Sequence, residues 1–154
     1  MIQTSKNWIY LTFIALLLSG EVEAINVAHS SCVIRSSLNN APKAFFDVEC
    51  PQTTVEKEKG LMFRKKLDSN HGMIFLYDPP KIVKFWMKNT EIPLDVLFVD
   101  KNDRIISIYK NRLPGDLTAF GPNSKIHAVL EISAGCVQTY NLKVGDLLDY
   151  DKFK

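Results

Sequence analysis

The side chains best suited to chemistry lie close together in residues 85–100, which read FWMKNTEIPLDVLFVD. Trp86 offers a flat aromatic surface, Lys88 carries a positive charge, and Asn89 and Asp95 can form hydrogen bonds. An aromatic surface beside a few polar groups is typical of sites that bind sugars or small anionic molecules. The alternative is a hydrogen-bonded corner between two strands, since Asn and Asp side chains readily bond to nearby backbone groups.

Two charged residues outside this segment, Arg64 and Glu131, complete the candidate ligand-binding set. Glu131 interrupts the apolar sequence VLEIS, and a buried glutamate normally needs a partner. We expect Arg64 or Lys88 to supply it. If residues 84–87 form a strand, its alternation points Trp86 and Lys88 to the same side.

Catalysis is the alternative function, with Asp95 or Glu131 as the acid or base of a hydrolase or transferase. Such a reaction requires two carboxyl groups placed together with well-separated pKa values. The sequence contains no G-x-S-x-G motif, no H-E-x-x-H motif and no Cys–His pair at a family-like spacing. The motifs therefore do not favour an enzyme, and no cofactor is expected.

Sulfur provides a third possibility, a Cu(I) site. Met62, Met73 and Met87 each lie in a distinctive motif, and His71 is two residues from Met73. Thioether and imidazole groups are ligands that Cu(I) accepts. Methionine is also an ordinary filler of apolar cores, and each of these methionines has Leu, Ile, Phe or Trp beside it.

The pattern of elements predicts a mainly β fold with one short helix. Thr53 and Glu56 form a capping box, so the helix should run over residues 54–59 and be closed by Gly60. Many short strands at close spacing indicate a single domain folded as a β-sandwich or a partly closed barrel. Strands are predicted at 32–37, 44–50, 73–78 (ended by two prolines), 84–87, 96–100, 104–109, 127–133 and within 143–150, with a long loop over 110–126.

The first two predicted strands are joined by LNNAPK, a turn-rich sequence that predicts an antiparallel hairpin. A hairpin centred on residues 40–42 would place Cys32 opposite Cys50, where a disulfide is geometrically reasonable. A slip of one residue in the register would abolish it. Cys136 would then be the third, unpaired cysteine.

Residues 1–24 have the pattern of a signal peptide. Lys6 supplies a positive charge, residues 8–18 are almost entirely apolar, and VEA, ending at Ala24, resembles a cleavage site. The apolar run is shorter than the roughly 20 residues of a membrane span. We therefore expect export to the periplasm or out of the cell after cleavage near Ala24, with no remaining span; an uncleaved anchor is the alternative.

Positive charge is concentrated in one part of the chain. The net charge is only +2, yet residues 57–88 hold eight Lys or Arg against three Asp or Glu. A basic face attracts an anionic small molecule or polymer, although a solvated, lysine-rich surface is the commoner explanation. No aromatic-plus-basic nucleic-acid motif is present, so nucleic acid is not expected as a partner.

Five motifs occur in an order and spacing that resemble one bacterial and archaeal family, domain of unknown function 192. They are GLMFR (60–64), HGMIF (71–75), the FWMKNTEIPLD segment, VLEISAG (129–135) and VGDLL (144–148). The resemblance covers about residues 44–150 and departs at Pro51 and Gln52, where the family usually has Ala-Asp. It implies a compact, mainly β fold of sandwich or jelly-roll type, and no established activity.

The expected organisation is a signal peptide at 1–24, an N-terminal segment with the first hairpin strand at 25–43, and a family-like β domain at 44–154. The expected function is that of an exported cell-envelope protein, a non-enzymatic module that binds a sugar or small anion or serves as an accessory component. Trp86, Lys88, Asn89 and Asp95 would form its site, with Arg64 and Glu131.

Overall fold

Alternating and fully apolar stretches fold into seven strands and two short helices, which the computed structural model describes over residues 28–150. All strand pairs are antiparallel except β2 and β3, in the order β5-β4-β6-β3-β2-β1-β7. The elements are β1 (Ala28–Arg35), β2 (Pro42–Cys50), α1 (Thr54–Lys59), β3 (His71–Lys81), β4 (Leu94–Val99), β5 (Ile105–Arg112), β6 (Ile126–Ser133), α2 (Cys136–Thr139) and β7 (Leu147–Tyr150).

The two ends of the sheet meet at a short contact, so the sheet is curled rather than flat. Arg104, just before β5, forms an isolated antiparallel bridge with Leu147 at the start of β7. The Leu148 amide donates to the Asp103 carbonyl oxygen at 2.8 Å. The predicted mainly β, single-domain fold is therefore confirmed, in its partly closed barrel form.

The three central strands β3, β4 and β6 are buried on both faces, because their side chains alternate between two separate apolar cores. In β4 all six residues are buried. Leu97 belongs to a first core to which all seven strands contribute, whereas Phe98 belongs to a second. The second core is completed by Leu61 and by residues between β3 and β4, including Met87.

Helix α1 forms as its local sequence predicts, over Thr54–Lys59. The Thr53 hydroxyl accepts from the Glu56 amide at 3.2 Å, and the Glu56 carboxylate accepts from the Thr53 amide at 2.9 Å. Both bonds satisfy amides that lack a partner at the start of a helix. Gly60 ends the helix with φ of 47°. Neither helix within residues 28–150 is long and apolar enough to cross a membrane.

Three local predictions need correction. Strand β3 continues past Pro79 and Pro80 to Lys81, because its ladder with β6 is interrupted between Leu76 and Lys81 and the prolines need no partner there. Residues 84–87 form no strand, only a single bridge from Phe85. The prediction of a single helix missed α2, because its four residues carry too little periodicity.

The predicted Cys32–Cys50 disulfide is wrong. The β1–β2 register pairs Cys32 with Phe46 and Cys50 with Ala28, so the hairpin is centred about two residues earlier than expected. Both cysteines point into the same core, but four residues of strand separate them, roughly 13 Å at 3.3 Å per residue. All three cysteines are free and buried.

Candidate functional site

A cleft of about 900 Å³ lies between α1 and the segment that follows β3. Ligand pockets in proteins typically measure about 300–1,000 Å³. Phe75 and Tyr77 of β3 line its floor with Glu131 of β6, and Leu61 adjoins them. Of the predicted ligand-binding residues, the cleft brings together Trp86, Lys88, Asn89 and Glu131, but neither Arg64 nor Asp95.

One wall of the cleft is residues 82–90, which a few backbone bonds hold in place. The Phe85 amide and carbonyl both bond to Phe120, each at 2.9 Å. Met87 is buried, whereas Trp86 and Lys88 are both exposed. The Lys88 ammonium lies 5.2 Å from the Trp86 ring centre, so the two side chains share one side, as predicted. Asn89 has φ of 54°, a conformation that Asn tolerates, and this ends the extended stretch.

Asn89 also joins the two walls of the cleft. Its carbonyl oxygen accepts from the Phe63 amide at 2.8 Å, and its side-chain amide lies 4.0 Å from the Met62 sulfur. Met62 and Phe63 belong to the turn that follows α1, the opposite wall. The motifs GLMFR and FWMKNT, 20 residues apart in sequence, are therefore two sides of one feature.

Lysines dominate the charge of the cleft. The only acids in its lining are Glu58 and Glu131. Lys57 donates to the Leu76 carbonyl oxygen at 2.7 Å and lies 5.4 Å from the Tyr77 ring centre. The lysines in the lining are Lys57, Lys59, Lys81, Lys84 and Lys88. The basic stretch at 57–88 was the sequence signal for this wall, although nothing in it showed that these residues converge.

Apolar side chains are exposed along the same rim. Val55, Phe63, Ile82 and Trp86 all line the cleft, with exposed fractions of 74%, 61%, 57% and 49%. Sequence analysis identified only Trp86, because the other three are separated along the chain and meet only through tertiary packing. Exposed apolar groups gathered at a concave surface mark a binding site more often than scattered ones do.

Glu131 is the one cleft-lining carboxyl that is buried, with only 6% of the residue exposed. Burial raises its pKa to about 8, because the charged form loses water. No ion pair or hydrogen bond to its side chain occurs in the part of the chain that the structure describes. Tyr77 is close enough for the Glu131 charge to raise its pKa, after the larger effect of burial.

The expected pairing of Glu131 with Arg64 or Lys88 is wrong. Arg64 instead makes a two-pronged ion pair with Glu49, with both nitrogen–oxygen distances 2.5 Å. The hydrogen bond from Arg64 is the main reason that the pKa of Glu49 lies below its usual value. Lys88 stacks over Trp86 and forms no ion pair within residues 28–150.

Asp95 has a structural role and does not line the cleft. It is 1% exposed, and its two oxygens accept from the amides of Asn111 at 2.8 Å and Val137 at 2.9 Å. It therefore ties β4 to β5 and to α2. In the β4–β6 ladder Asp95 pairs with Ile132, and Glu131 pairs with Val96. Because neighbours along a strand point to opposite faces, Asp95 and Glu131 lie on opposite sides of the sheet and cannot act as a dyad.

The proposed copper ligands are not gathered in one place. Met73 and Met87 are buried in the second apolar core, and Met62 lines the cleft. His71 is exposed, with its Nδ1 atom 3.0 Å from the Asn70 side-chain oxygen. Nor do residues 28–150 contain a group of three or more His, Cys, Asp or Glu able to hold a metal ion. The two buried methionines act as fillers of apolar space.

The role of Asp95 is testable by replacing it with Asn. An amide has one accepting oxygen, so one of the two backbone amides faces an NH₂ group and loses its bond. We expect Asp95→Asn to lower the free energy of unfolding by about 1–3 kcal/mol, measured by urea denaturation. Asp149→Asn, which removes an exposed ion pair with Arg35, should cost less than about 1 kcal/mol. Equal effects would contradict this role.

The burial of Glu131 predicts a pH dependence of stability. Its pKa rises from 4.5 to about 8 on folding, so the folded state holds the proton more tightly. The associated stability is complete below about pH 4.5 and is lost as pH rises through 8. Between pH 5 and 9, wild type should lose at least about 2 kcal/mol relative to Glu131→Gln, since one pKa unit corresponds to about 1.4 kcal/mol.

Urea denaturation of both proteins at pH 5, 7 and 9 measures this difference directly. Glu58→Gln is the matched control, because Glu58 is an exposed carboxylate in the same lining. It should follow the wild-type pH profile. Parallel profiles for wild type and Glu131→Gln would show that Glu131 is ionised in the folded protein.

Comparison with known proteins gives a family but no activity. A solved protein of unknown function from Novosphingobium aromaticivorans DSM 12444 is 35% identical, with a TM-score of 0.76 over 82% of this chain and 89% of that one. A proposed transcription regulator from Sinorhizobium meliloti 1021 is 29% identical, with a TM-score of 0.76 over 80% of this chain and 95% of that one. No curated protein matches. The family model DUF192, described as "Uncharacterized ACR", matches residues 36–150, and the chain therefore belongs to the domain of unknown function 192 family.

Proposed function

We propose that this protein is a non-enzymatic binding module for a small amphipathic anion, held in the cleft between α1 and residues 82–90. The observation that carries the proposal is the composition of the lining, where five lysines occur with four exposed apolar side chains. A molecule with an apolar body and an anionic group satisfies both. A purely polar sugar would leave Val55, Phe63 and Ile82 without contacts. Lys57 and Lys84 bond to nearby oxygens, which leaves Lys59, Lys81 and Lys88 as the exposed lysines without such a bond among residues 28–150.

The lysines and apolar groups play different parts in this proposal. Exposed lysines attract an anion and raise its association rate, with an effect that weakens as salt increases. Trp86 provides a rigid apolar face at the mouth of the cleft, already backed by Lys88. The hydrolase or transferase alternative loses support, because Asp95 is engaged by two backbone amides away from the cleft.

We also propose that the protein acts outside the cytoplasm. This proposal is supported by the charged, apolar and small-residue pattern of residues 1–24, which lie outside the described part of the chain. The intact mass of the protein from the envelope or medium of the producing cells should be that of a chain starting at Ile25, with three unlinked cysteines. A cytoplasmic protein that retains residues 1–24 would contradict export.

The binding proposal is tested with anilinonaphthalene sulfonate, a fluorescent molecule with an aromatic body and a sulfonate. With Trp8→Phe as background, Trp86 is the only tryptophan in the chain. Energy transfer from Trp86 to the bound dye therefore reports binding to the protein, and the lysine variants described next decide whether the dye lies in the cleft. We expect saturable binding that weakens with salt, while circular dichroism shows a folded protein, since partly unfolded proteins also bind this dye.

Lysine substitutions give the matched control. Lys59 and Lys88 line the cleft, and neither forms an ion pair among residues 28–150. Exposed charge pairs contribute about 0.2–1 kcal/mol each, so the double change to Gln should weaken dye binding by roughly two- to thirtyfold. The same change at Lys110 and Lys125, exposed but outside the cleft, should leave it within twofold. Equal effects would overturn the proposal.

Nucleic acid is the rival ligand, since one relative is described as a proposed transcription regulator. A short DNA duplex added to the dye complex separates the two cases. Failure of the duplex to displace the dye supports a small-molecule site. Displacement at micromolar duplex, with loss of duplex binding in the Lys59 and Lys88 double variant, would replace the proposal with nucleic-acid binding.

A further inference from the structure

The carboxyl group of Glu131 is buried, yet no described residue bonds to it. The residue is 94% buried, the complement of its 6% exposure, and lines the cleft. Its cross-strand neighbours on β3 and β4 are Met73 and Val96, which offer no hydrogen bond. A buried carboxyl without a protein partner costs free energy, so, among residues 28–150, this group is left to bond with water or with a ligand in the cleft.

Burial favours the uncharged form of this carboxyl, and no described cation is paired with it to oppose that effect. From β3, Tyr77 lies nearby, and its hydroxyl keeps its proton because burial raises its pKa. The side of β4 that faces the second core contributes only Leu94, Val96 and Phe98. The remaining charged groups of the lining come from α1 (Lys57, Glu58 and Lys59) and from the opposite wall (Lys81, Lys84 and Lys88). No described cation is paired with Glu131.

We propose that uncharged Glu131 donates a hydrogen bond to an oxygen of the anion in the cleft, and that ionisation of this carboxyl releases the anion. This inference rests on the proposed function and adds the ligand class, an amphipathic oxyanion such as a carboxylate, sulfonate or phosphate. A hydrogen bond from a carboxylic acid to an anionic oxygen is about twice as strong as a neutral one. An ionised Glu131 has no proton to donate and repels the anion.

The geometry divides the work between the two parts of the site. Lys59, Lys81 and Lys88 select for negative charge without fixing its position, because their side chains are long and exposed. Glu131 is held by β6 at the floor of the cleft. It therefore selects for a ligand oxygen that reaches the floor and accepts a hydrogen bond from the carboxylic acid. A ligand whose anionic group stays at the rim makes no hydrogen bond with Glu131. A ligand that inserts its anionic group into the cleft does.

The pH range of the release follows from burial. The pKa of Glu131 is about 8, so the carboxyl is mostly uncharged at pH 6 and mostly ionised at pH 9. Above its pKa, each pH unit lowers the uncharged fraction about tenfold. Binding that requires the uncharged form therefore weakens about tenfold between pH 6 and pH 9.

The test uses the same sulfonate dye, because a sulfonate stays ionised throughout this pH range. Its dissociation constant is measured at pH 6, 7, 8 and 9 in the Trp8→Phe background. Wild type should bind about tenfold more weakly at pH 9 than at pH 6. Glu131→Gln should keep its affinity across the range, because the amide donates at every pH. Glu58→Gln, which removes an exposed carboxylate from the same lining, should show the same tenfold pH dependence as wild type, whatever its affinity at pH 6.

Each outcome decides between the proposals. A tenfold loss in wild type that disappears in Glu131→Gln supports the inference. Saturable binding with the same pH profile in wild type and Glu131→Gln overturns it and leaves the proposed function standing. Absence of saturable binding at every pH overturns both. Stronger binding at pH 9 would show that the ionised carboxylate takes part, which also overturns the inference.

Discussion

Burial of the central strands on both faces is the constraint on which the rest of the structure depends. Because β4 and β6 alternate between two apolar cores, a polar residue in either strand has only two possible surroundings. Asp95 lies on the face where the ends of β5 and α2 bring amides to it. Glu131 lies on the other face, where no such amides arrive. Asp95 pairs with Ile132, the residue that follows Glu131. A difference of one position along β6 therefore separates a carboxylate with a structural role from one that a ligand can reach.

The cleft itself results from a short strand pairing. Strands β2 and β3 run parallel and pair over only three residues, from Asp47–His71 to Glu49–Met73. Beyond that point the chain leaves the sheet as α1 and its following turn, which stand beside β3 instead of pairing with it. Lys57 bonds to the Leu76 carbonyl oxygen in place of a neighbouring strand. The space between this helix and residues 82–90 becomes the cleft.

Local signals predicted local structure well. The capping box predicted the bounds of α1, and alternation in the FWMK sequence predicted that Trp86 and Lys88 share one side, although no continuous strand forms there. The signals failed where the answer depends on distant residues. A two-residue shift in one turn moved Cys32 away from Cys50. The partner of Arg64 proved to be Glu49, which no motif connects to it, and the convergence of Val55, Phe63 and Ile82 requires the tertiary fold.

The contact that curls the sheet also sets an order of events during synthesis. Strand β7 is the last element of the fold, and it pairs with β1, one of the first. Leu147 and Leu148 also make the bonds that join it to residues 103–104. A chain that emerges with its amino end first therefore cannot close this curled sheet until β7 has also emerged, and until then β1 lacks one of its two neighbouring strands.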